Sequence, residues 1–333
     1  MKNPTALIVA GAAAILFIWA VTFAFVARDL HPKPAMTPVV IANVGEYSTL
    51  NLIAKEKGFF AKNGLDAKVD EYDSGKSSIG ALLDGKADFA IAADFVGVTN
   101  IMAGADLRIL AQVSGQFVFQ VIALKDKGIA APADLKGKTI GVTRKTAGEL
   151  YLGKFLAANG LGYGDVTMVD LSPAEMADRI SKGGIDAVVI FDPWAYRLQK
   201  NLADAAFVWP AQVDRKANGL AYTTKAFLAD KPDAVERYLR SLIDAASYLR
   251  AHDAESRAIL ARAMKYDDEY VNYLWPKIGF FVELNDGLRL TLEEQARWLI
   301  ANHLTERTEP PNFDEYIAAE PLRKAYPAGV LIR

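Results

Sequence analysis

The chain has 333 residues, a formal net charge of −2 and no cysteine. At about 150 residues per domain, this length suggests two domains, and the charge balance removes the main electrostatic reason to expect nucleic-acid binding. The lack of cysteine excludes disulfides, thiolate metal sites and cysteine nucleophiles. Because His31, His252 and His303 are far apart in sequence and form no metal-ligand motif, the sequence predicts neither a metal nor a cofactor.

An uncharged apolar segment opens the chain. Residues 6–26 carry no charge, and a helix of that length would span about 30 Å, the thickness of a bilayer's hydrocarbon core. Two interpretations stay open, a signal peptide cleaved after Ala24 and an uncleaved anchor, which the long apolar run favours. Residues 1–28 are therefore predicted to be a signal peptide or membrane anchor, and residues 29–38 a proline-rich spacer. The remainder is expected at the extracytoplasmic face of the cytoplasmic membrane, because Lys2 favours a cytoplasmic N-terminus.

From residue 39 onward, short apolar runs alternate with amphipathic stretches. Strands are predicted over residues 39–44, 65–72, 89–92, 107–113, 117–124, 139–142, 166–170, 187–190 and 219–223. Helices are predicted over residues 50–60, 77–84, 95–103, 147–159, 173–182, 193–203, 233–250, 254–264 and 292–302. This alternation predicts an α/β fold with parallel sheets covered by helices.

The two halves of this region share a local pattern. A glycine, an aspartate and a short apolar strand precede a second aspartate, Asp94 in the first half and Asp192 in the second. The repeat is either a chance product of common α/β patterns or the trace of two related lobes that face each other. Ligands bind off the carboxyl ends of strands in open α/β sheets, so two facing lobes would place these loops on the two walls of one cleft.

Motifs for catalysis are missing from the sequence. It contains no nucleophile elbow, no glycine-rich phosphate loop and no histidine-centred triad. A binding protein is therefore favoured over an enzyme.

Three predicted strand-to-helix junctions offer hydroxyl groups and unpaired backbone amides, at residues 46–49, 74–78 and 144–148. Such helix starts attract anions, although ordinary N-capping by serine and threonine explains the same residues. The first junction supplies Tyr47, Ser48 and Thr49 as candidate ligand contacts, with the Tyr47 ring as a candidate apolar wall.

Asp94 and Asp192 are candidates for binding an amine or a hydroxyl group. Both aspartates are also placed to cap the helices that follow them, since Pro193 stands at a first helical position. Phe191 and Trp194 could add an apolar wall or belong to the core.

Several longer stretches carry a resemblance to a known family. They lie at residues 51–60, 82–88, 133–142, 183–194 and 223–235. The chain resembles the solute-binding proteins of ABC importers, in the group that binds sulfonates, nitrate, taurine and thiamine-precursor pyrimidines. The resemblance implies a type II periplasmic-binding-protein fold of two α/β lobes joined by hinge strands. Lobe 1 would take residues 39–115 and 214–333, and lobe 2 residues 116–213.

The same resemblance implies where a sulfonate head group would bind. The positions that match the family's helix-start contacts are Ser77 and Ser78 in the first lobe and Thr146 and Ala147 in the second. Asp192 and Trp194 match an Asp-Pro-aromatic turn. Residues 145–148 depart from the Gly-Ser-Ser-like run of sulfonate binders. The thiamine-pyrimidine synthases of this fold use cysteine-rich motifs and a histidine that this chain lacks, so no enzyme activity is expected.

The expected function is that of an importer's solute-binding component. It would act as a monomer, hold a small polar organic ligand such as a sulfonate, nitrate or taurine between its lobes, and deliver it to an ABC permease and its ATPase subunits. The N-terminal helix would attach it to the membrane. The alternatives are a receptor for a thiamine-precursor pyrimidine or another nitrogenous ligand, an enzyme on the same fold, and a membrane-tethered sensor.

Overall fold

A computed structural model describes residues 36–212 and 216–332. The predicted signal or anchor, and nearly all of the spacer, lie outside the described residues. No helix within the described ranges is long and apolar enough to cross a membrane. Residues 38–333 form one compact unit.

The described strands follow in chain order. They are β1 (Thr37–Asn43), β2 (Leu65–Glu71), β3 (Phe89–Ala93), β4 (Leu107–Gln116), β5 (Phe119–Leu124), β6 (Thr139–Val142), β7 (Thr167–Asp170), β8 (Ala187–Phe191), β9 (Ala206–Pro210), β10 (Ala217–Thr224), β11 (Ile278–Asn285) and β12 (Val330–Leu331). The pattern from residue 206 onward predicted β10 but missed β9, β11 and β12.

The described helices are mostly those predicted. They are α1 (Thr49–Glu56), α2 (Phe59–Lys62), α3 (Gly75–Leu83), α4 (Asp94–Met102), α5 (Ala147–Ala158), α6 (Pro173–Ser181), α7 (Trp194–Leu202), α8 (Lys225–Asp230), α9 (Pro232–Ala251), α10 (Asp253–Met264), α11 (Asp268–Leu274), α12 (Asp286–Ala301) and α13 (Ala319–Ala325). The single helix predicted over residues 50–60 is broken, because Gly58 adopts a left-handed φ of 69° that ends α1.

The strands form two mixed sheets. The seven-stranded sheet has the order β12-β11-β4-β10-β3-β1-β2, and the five-stranded sheet has the order β7-β6-β8-β5-β9. Strand β1 is parallel to β3, and β6 is parallel to β7 and β8. Strand β10 is antiparallel to β3 and β4, and β5 is antiparallel to β8 and β9. The α/β class is confirmed, but the expectation of purely parallel sheets is wrong. Strands β4, β5, β9 and β10, which carry the chain between the sheets, add the antiparallel pairs.

The chain passes between the two sheets at two short connections. Strand β4 ends at Gln116 and β5 begins at Phe119, while β9 ends at Pro210 and β10 begins at Ala217. The first crossing is bonded by Gln212, whose Oε1 accepts hydrogen bonds from the N–H groups of Val118 at 2.7 Å and Phe119 at 2.9 Å. The lobe boundaries given above stay a prediction.

The central strands carry the core. Every residue of β3 is buried, as expected for a continuous apolar run with both faces covered. Helix α9 lies over this strand, where Tyr238 stacks on Phe89 with ring centroids 4.0 Å apart. This packing fixes the strands, so the loops at their carboxyl ends begin from a rigid base.

Candidate ligand-binding site

A small cavity lies where strand ends of both sheets meet. Its volume is about 50 Å³. Residues near the ends of β1, β2 and β3 form one wall, namely Val44, Tyr47, Ser74, Gly75, Ala93 and Val96. Residues of the five-stranded half form the other, namely Phe119, Thr143, Thr146, Ala147, Pro173 and Phe191. This is the position at which open α/β sheets bind ligands.

Two helices begin at this cavity, one from each half of the molecule. Helix α3 starts at Gly75, and its N-cap Ser74 accepts a hydrogen bond from the Ser77 N–H at 3.3 Å. Helix α5 starts at Ala147, and its N-cap Thr146 accepts from the Gly148 N–H at 3.2 Å. The first N–H groups of a helix have no partner within it, and the helix dipole places partial positive charge there. Both walls therefore offer an anion-binding end.

The side-chain hydroxyls at these helix starts are already used within their own loops. Thr146 Oγ1 donates to the Thr143 carbonyl at 2.7 Å, and Ser74 Oγ donates to Asp73 Oδ1 at 3.1 Å. The backbone N–H groups are consequently the main donors that face the cavity, while apolar side chains cover most of the remaining wall. The arrangement suits a small anionic head attached to an apolar body.

A buried carboxylate shapes the loop before α5. Glu149 is 1 % exposed, and its Oε2 accepts from the Lys145 N–H at 2.7 Å. Its Oε1 pairs with Arg144 Nε at 2.7 Å. These contacts hold Lys145 at a left-handed φ of 59°. The run that departs from the sulfonate-binder pattern is thus fixed by Glu149, and Thr146 and Ala147 still reach the cavity.

Tyr47 is placed by the strand beneath it. A Cβ at Gly219 of β10 would lie 2.7 Å from Tyr47 Cδ1, so only glycine leaves room for the ring. The Tyr47 hydroxyl is buried, and burial raises its pKa well above the usual range. Tyr47 is therefore a neutral, mainly apolar part of the wall.

Of the predicted site residues, Tyr47, Thr146 and Ala147 line the cavity. The hydroxyls of Ser48 and Thr49 bond within the turn before α1, to Val44 and to the Glu46 carbonyl. These two residues do not line the cavity, and their role as ligand contacts stays a prediction.

Ser77 and Ser78 also lie outside the cavity wall. The Ser77 hydroxyl donates to Asp73, and the Ser78 hydroxyl donates to the carbonyls of Ala42 and Ile91 at 3.1 and 2.9 Å. Ser78 therefore joins α3 to β1 and β3. Their proposed contact with a ligand likewise stays a prediction.

The two aspartates from the repeated pattern are buried in separate surroundings. Asp94 accepts from Phe95 N–H and Asn218 Nδ2, each at 2.8 Å. Asp192 Oδ1 accepts from Tyr196 N–H at 3.0 Å. Neither is among the residues that line the cavity.

Trp194 begins α7, and the Arg197 guanidinium lies 5.8 Å from its ring centroid. It too stands outside the residues that line the cavity. Its ligand role, like those of Asp94 and Asp192, stays a prediction.

Sequence reasoning missed part of the wall. Ser74 and Gly75 lie in a junction that was predicted, but the chosen contacts were three residues further on. Phe191 is among the candidate apolar walls, whereas Phe119 falls within the strand predicted over residues 117–124 and carries no predicted ligand role. The available signal was the N-cap preference of serine, which places Ser74 at the first turn of the helix.

A second carboxyl pair lies next to residues of the wall. Glu46 precedes Tyr47, and Asp192 follows Phe191. Burial raises the pKa of Glu46 to about 8, and the Asp192 charge adds to this rise. Burial raises the pKa of Asp192 to about 6, opposed by Lys277, whose Nζ lies 3.7 Å from Oδ2. Glu46 and Asp192 are thus two buried carboxyls with raised pKa values, one from each half of the molecule.

Tyrosine rings surround this pair. Tyr266 Oη donates to Glu46 Oε2 at 3.3 Å. Tyr270 packs against Tyr266 and Tyr196, with centroids 4.7 and 5.1 Å away. Burial, followed by the charges of Glu46 and Asp192, raises the pKa of Tyr270 above its usual range. Burial is the main cause of the raised pKa of Glu46, and the hydrogen bond from Tyr266 partly opposes it.

Because the pKa values of Glu46 and Asp192 are raised in the folded protein, its stability falls as pH rises. The folded chain keeps protons on Glu46 and Asp192 that the unfolded chain releases near pKa 4.5 and 3.8. Stabilisation from this proton uptake is complete below these values and is lost as pH rises through about 6 and about 8. We expect the Tm to fall by about 5 °C between about pH 5.5 and about pH 8.5.

Calorimetry of the Glu46→Gln variant measures this effect. Glutamine can still accept from Tyr266 but does not titrate, so the variant should lose most of the pH dependence. Glu309→Gln, at an exposed position, is the matched control and should follow the parent chain. An unchanged slope in Glu46→Gln would show that other groups cause it.

Comparison with known proteins adds the family. The profile of the family described as NMT1/THI5 like matches residues 46–256, more than half of the chain. The chain belongs to this family. The resemblance inferred from sequence motifs is thereby confirmed.

Curated relatives of this NMT1/THI5-like chain are mostly described as binding proteins. A "Putative binding protein" of Brucella abortus (strain 2308) is 28 % identical over 272 residues, covering 78 % of this chain and 79 % of the relative. A "Putative aliphatic sulfonates-binding protein" of Bacillus subtilis (strain 168) is 28 % identical over 225 residues, covering 66 % and 68 %. A "Putative thiamine biosynthesis protein" of Haemophilus influenzae is 25 % identical over 209 residues, covering 62 % and 66 %.

Solved structures share the fold. The alkanesulfonate-binding protein SsuA of Xanthomonas axonopodis pv. citri, bound to MOPS, superposes with a TM-score of 0.71 at 20 % identity, covering 86 % of this chain and 99 % of that one. A Candida albicans protein described as having the generic periplasmic binding protein fold gives a TM-score of 0.71 at 12 % identity, covering 85 % and 96 %. The desulfurization enzyme DSZB shares the fold with a TM-score of 0.61 at 18 % identity, covering 87 % and 98 %. The periplasmic-binding-protein fold is thus confirmed for the described residues.

Proposed function

We propose that this NMT1/THI5-like protein is the solute-binding component of an ABC importer and captures a small organic anion. The observation that carries the proposal is the convergence of two helix starts, at Gly75 and Ala147, on one cavity between the two sheets. Helix N-termini are ready anion sites. Relatives described as sulfonate-binding proteins support the same ligand class.

The wall chemistry favours an alkyl or aryl sulfonate over a bare inorganic anion. Phe119, Phe191, Val44 and Val96 give apolar surface beside the helix starts. An apolar group buried there gains about 25 cal/mol for each Å² removed from water. Nitrate would use the helix starts but leave this surface without a partner.

The lining also favours binding over acid–base catalysis. The residues that line the cavity include no histidine, lysine or carboxylate, and the Tyr47 hydroxyl keeps its proton because burial raises its pKa. A general base would need a titratable group within hydrogen-bond reach of the ligand. We therefore assign a receptor role, with delivery of the ligand to a permease and its ATPase subunits.

The second candidate ligand is nitrogenous, such as taurine, whose amine accompanies a sulfonate, or an aminopyrimidine. The observation that favours it is the buried pair Glu46 and Asp192 beside the wall, close to the rings of Tyr196 and Tyr270. Carboxylates and aromatic faces both attract cationic groups. An amine that approached this pair would favour the ionised form of Glu46.

A thermal-shift and calorimetry series tests the proposal. The ligands are butanesulfonate, benzenesulfonate, nitrate, taurine and 4-amino-2-methylpyrimidine, with butanol as the uncharged counterpart of butanesulfonate. A ligand at 100 times its Kd should stabilise the fold by about 2.7 kcal/mol. We expect the two apolar sulfonates to stabilise the protein and butanol to leave its Tm unchanged. Stabilisation by the pyrimidine alone would assign the nitrogenous function instead.

The remaining parts of the proposal concern location and assembly. An importer's receptor would work as a monomer at the extracytoplasmic face, periplasmic or attached through its N-terminal segment. Co-purification with a permease and ATPase from detergent-solubilised membranes, increased by ligand, would support this assignment. A ligand-bound protein that associates with neither subunit would argue for a sensor.

A further inference from the structure

A wide groove with unpaired cations lies beside the cavity. Its volume is about 840 Å³, and its charged lining residues are Lys76, Lys145, Glu306 and Arg307. His303 also faces it. We call this surface the basic groove.

The basic groove is continuous in sequence with both helix starts. Lys76 directly follows Gly75, and Lys145 directly precedes Thr146. Each lysine therefore stands one residue from a backbone amide that we assign to the anionic head of the ligand. Arg307 comes from the segment after α12, and its Nε donates to the Met102 carbonyl at 2.8 Å, which holds its side chain over the groove.

Charge in the groove is mostly positive and uncompensated. Lys76, Lys145 and Arg307 make no ion pair with any residue that the structure describes, whereas Glu306 supplies one negative charge. Lys154, by contrast, is paired with Glu294 at 3.1 Å. Three cations on one concave surface would attract a second negative group.

Two residues that line this groove have a left-handed backbone. Lys145 and His303 have φ values of 59° and 56°, in the left-handed region where glycine is unstrained. His303 follows the end of α12, where a left-handed residue is a common helix ending, and the Leu304 N–H donates to the Leu299 carbonyl at 2.9 Å. At residue 145, Glu149 accepts the backbone N–H and holds the lysine at the rim.

We infer that the basic groove binds a second anionic group of the same ligand. The ligand class is then a dianion with one acidic group at the helix starts and another, a carboxylate, phosphate or second sulfonate, in the groove. Lys76, Lys145 and Arg307 determine this specificity. The inference rests on the proposed function, because it assumes that the first anionic group occupies the cavity.

Chain-length series of two ligand types test the inference. The first consists of ω-sulfocarboxylates, with a sulfonate and a carboxylate joined by one to six methylene groups. The second consists of alkanesulfonates of the same length. We expect the best sulfocarboxylate to bind about tenfold more tightly than its matched alkanesulfonate at low ionic strength, with an optimum length and a loss at high salt.

The variant K76Q/K145Q should remove that advantage, so that sulfocarboxylates and matched alkanesulfonates bind the variant with equal affinity. K225Q/K324Q removes two exposed lysines elsewhere and should keep the advantage. Equal binding of both series, or an advantage that survives in K76Q/K145Q, would overturn the inference while leaving the receptor function in place. Failure of every anion to bind would overturn both.

Discussion

Replacing Thr146 by aspartate is expected to abolish the binding of sulfonates while the chain still folds, with the loss of the hydroxyl's hydrogen bond to the Thr143 carbonyl. Thr146 is the N-cap of α5 and lines the cavity. Aspartate caps helices at least as well as threonine and interacts favourably with the helix dipole. It also places a negative charge where the anionic head would lie, and two like charges about 4 Å apart repel strongly at a protein surface. We expect affinity to fall by at least about 100-fold.

Thr224→Asp is the matched control for this experiment. Thr224 is the N-cap of α8, where it accepts from the Phe227 N–H at 3.1 Å, and it does not line the cavity. The same substitution there should leave ligand affinity unchanged. Calorimetric titration with butanesulfonate measures the affinity, and thermal unfolding without ligand verifies the fold. Undiminished sulfonate affinity in Thr146→Asp would contradict an anion site at α5, and tighter binding of an amine would support the nitrogenous ligand.

Filling the cavity should be almost as damaging to binding. Ala147 begins α5, is 2 % exposed and lines a cavity of about 50 Å³. A leucine at this position adds three carbon atoms to the space that the ligand needs. Overpacking of a closed site costs about 1–3 kcal/mol, so we expect affinity for butanesulfonate to fall about 100-fold.

Two further variants make the result specific to the cavity. Ala157→Leu makes the same change on an exposed position of α5 and should leave affinity unchanged. Ala147→Gly enlarges the cavity, so affinity should shift toward bulkier sulfonates such as benzenesulfonate. Titration of both ligands against the three variants measures the shift. Normal binding of butanesulfonate by Ala147→Leu would place the ligand elsewhere.

Local sequence patterns determined the elements and the family. The apolar run of β3 and the periodic faces of α5 and α9 follow from short-range spacing, because burial on one face or on both leaves its own period. The motif stretches at residues 51–60 and 183–194 were enough to indicate the family before any geometry was known. The N-cap residue Thr146 was found in the same way, since capping is a local property of the chain.

The tertiary structure alone decided which residues meet. Strand β10 enters the sheet between β3 and β4, with Leu220 opposite Ala92 and Gln112. No local pattern specifies partners so distant in sequence, because the period of a strand gives its buried face and not its neighbour. This topology sets which strand ends adjoin, and hence which residues form the two walls of the cavity.

Long-range packing also gives Ser74 and Ser78 different surroundings. Both are small hydroxyl residues at one helix start, and in the sequence only the N-cap position distinguishes the first. In the folded protein Ser78 faces the carbonyls of Ala42 and Ile91 between β1 and β3, whereas Ser74 faces the opposite half across the cavity. The sequence by itself thus determined which segments form most of the strands and helices. The composition of the cavity was decided by the packing of two sheets, because its walls come from segments that only long-range contacts bring together.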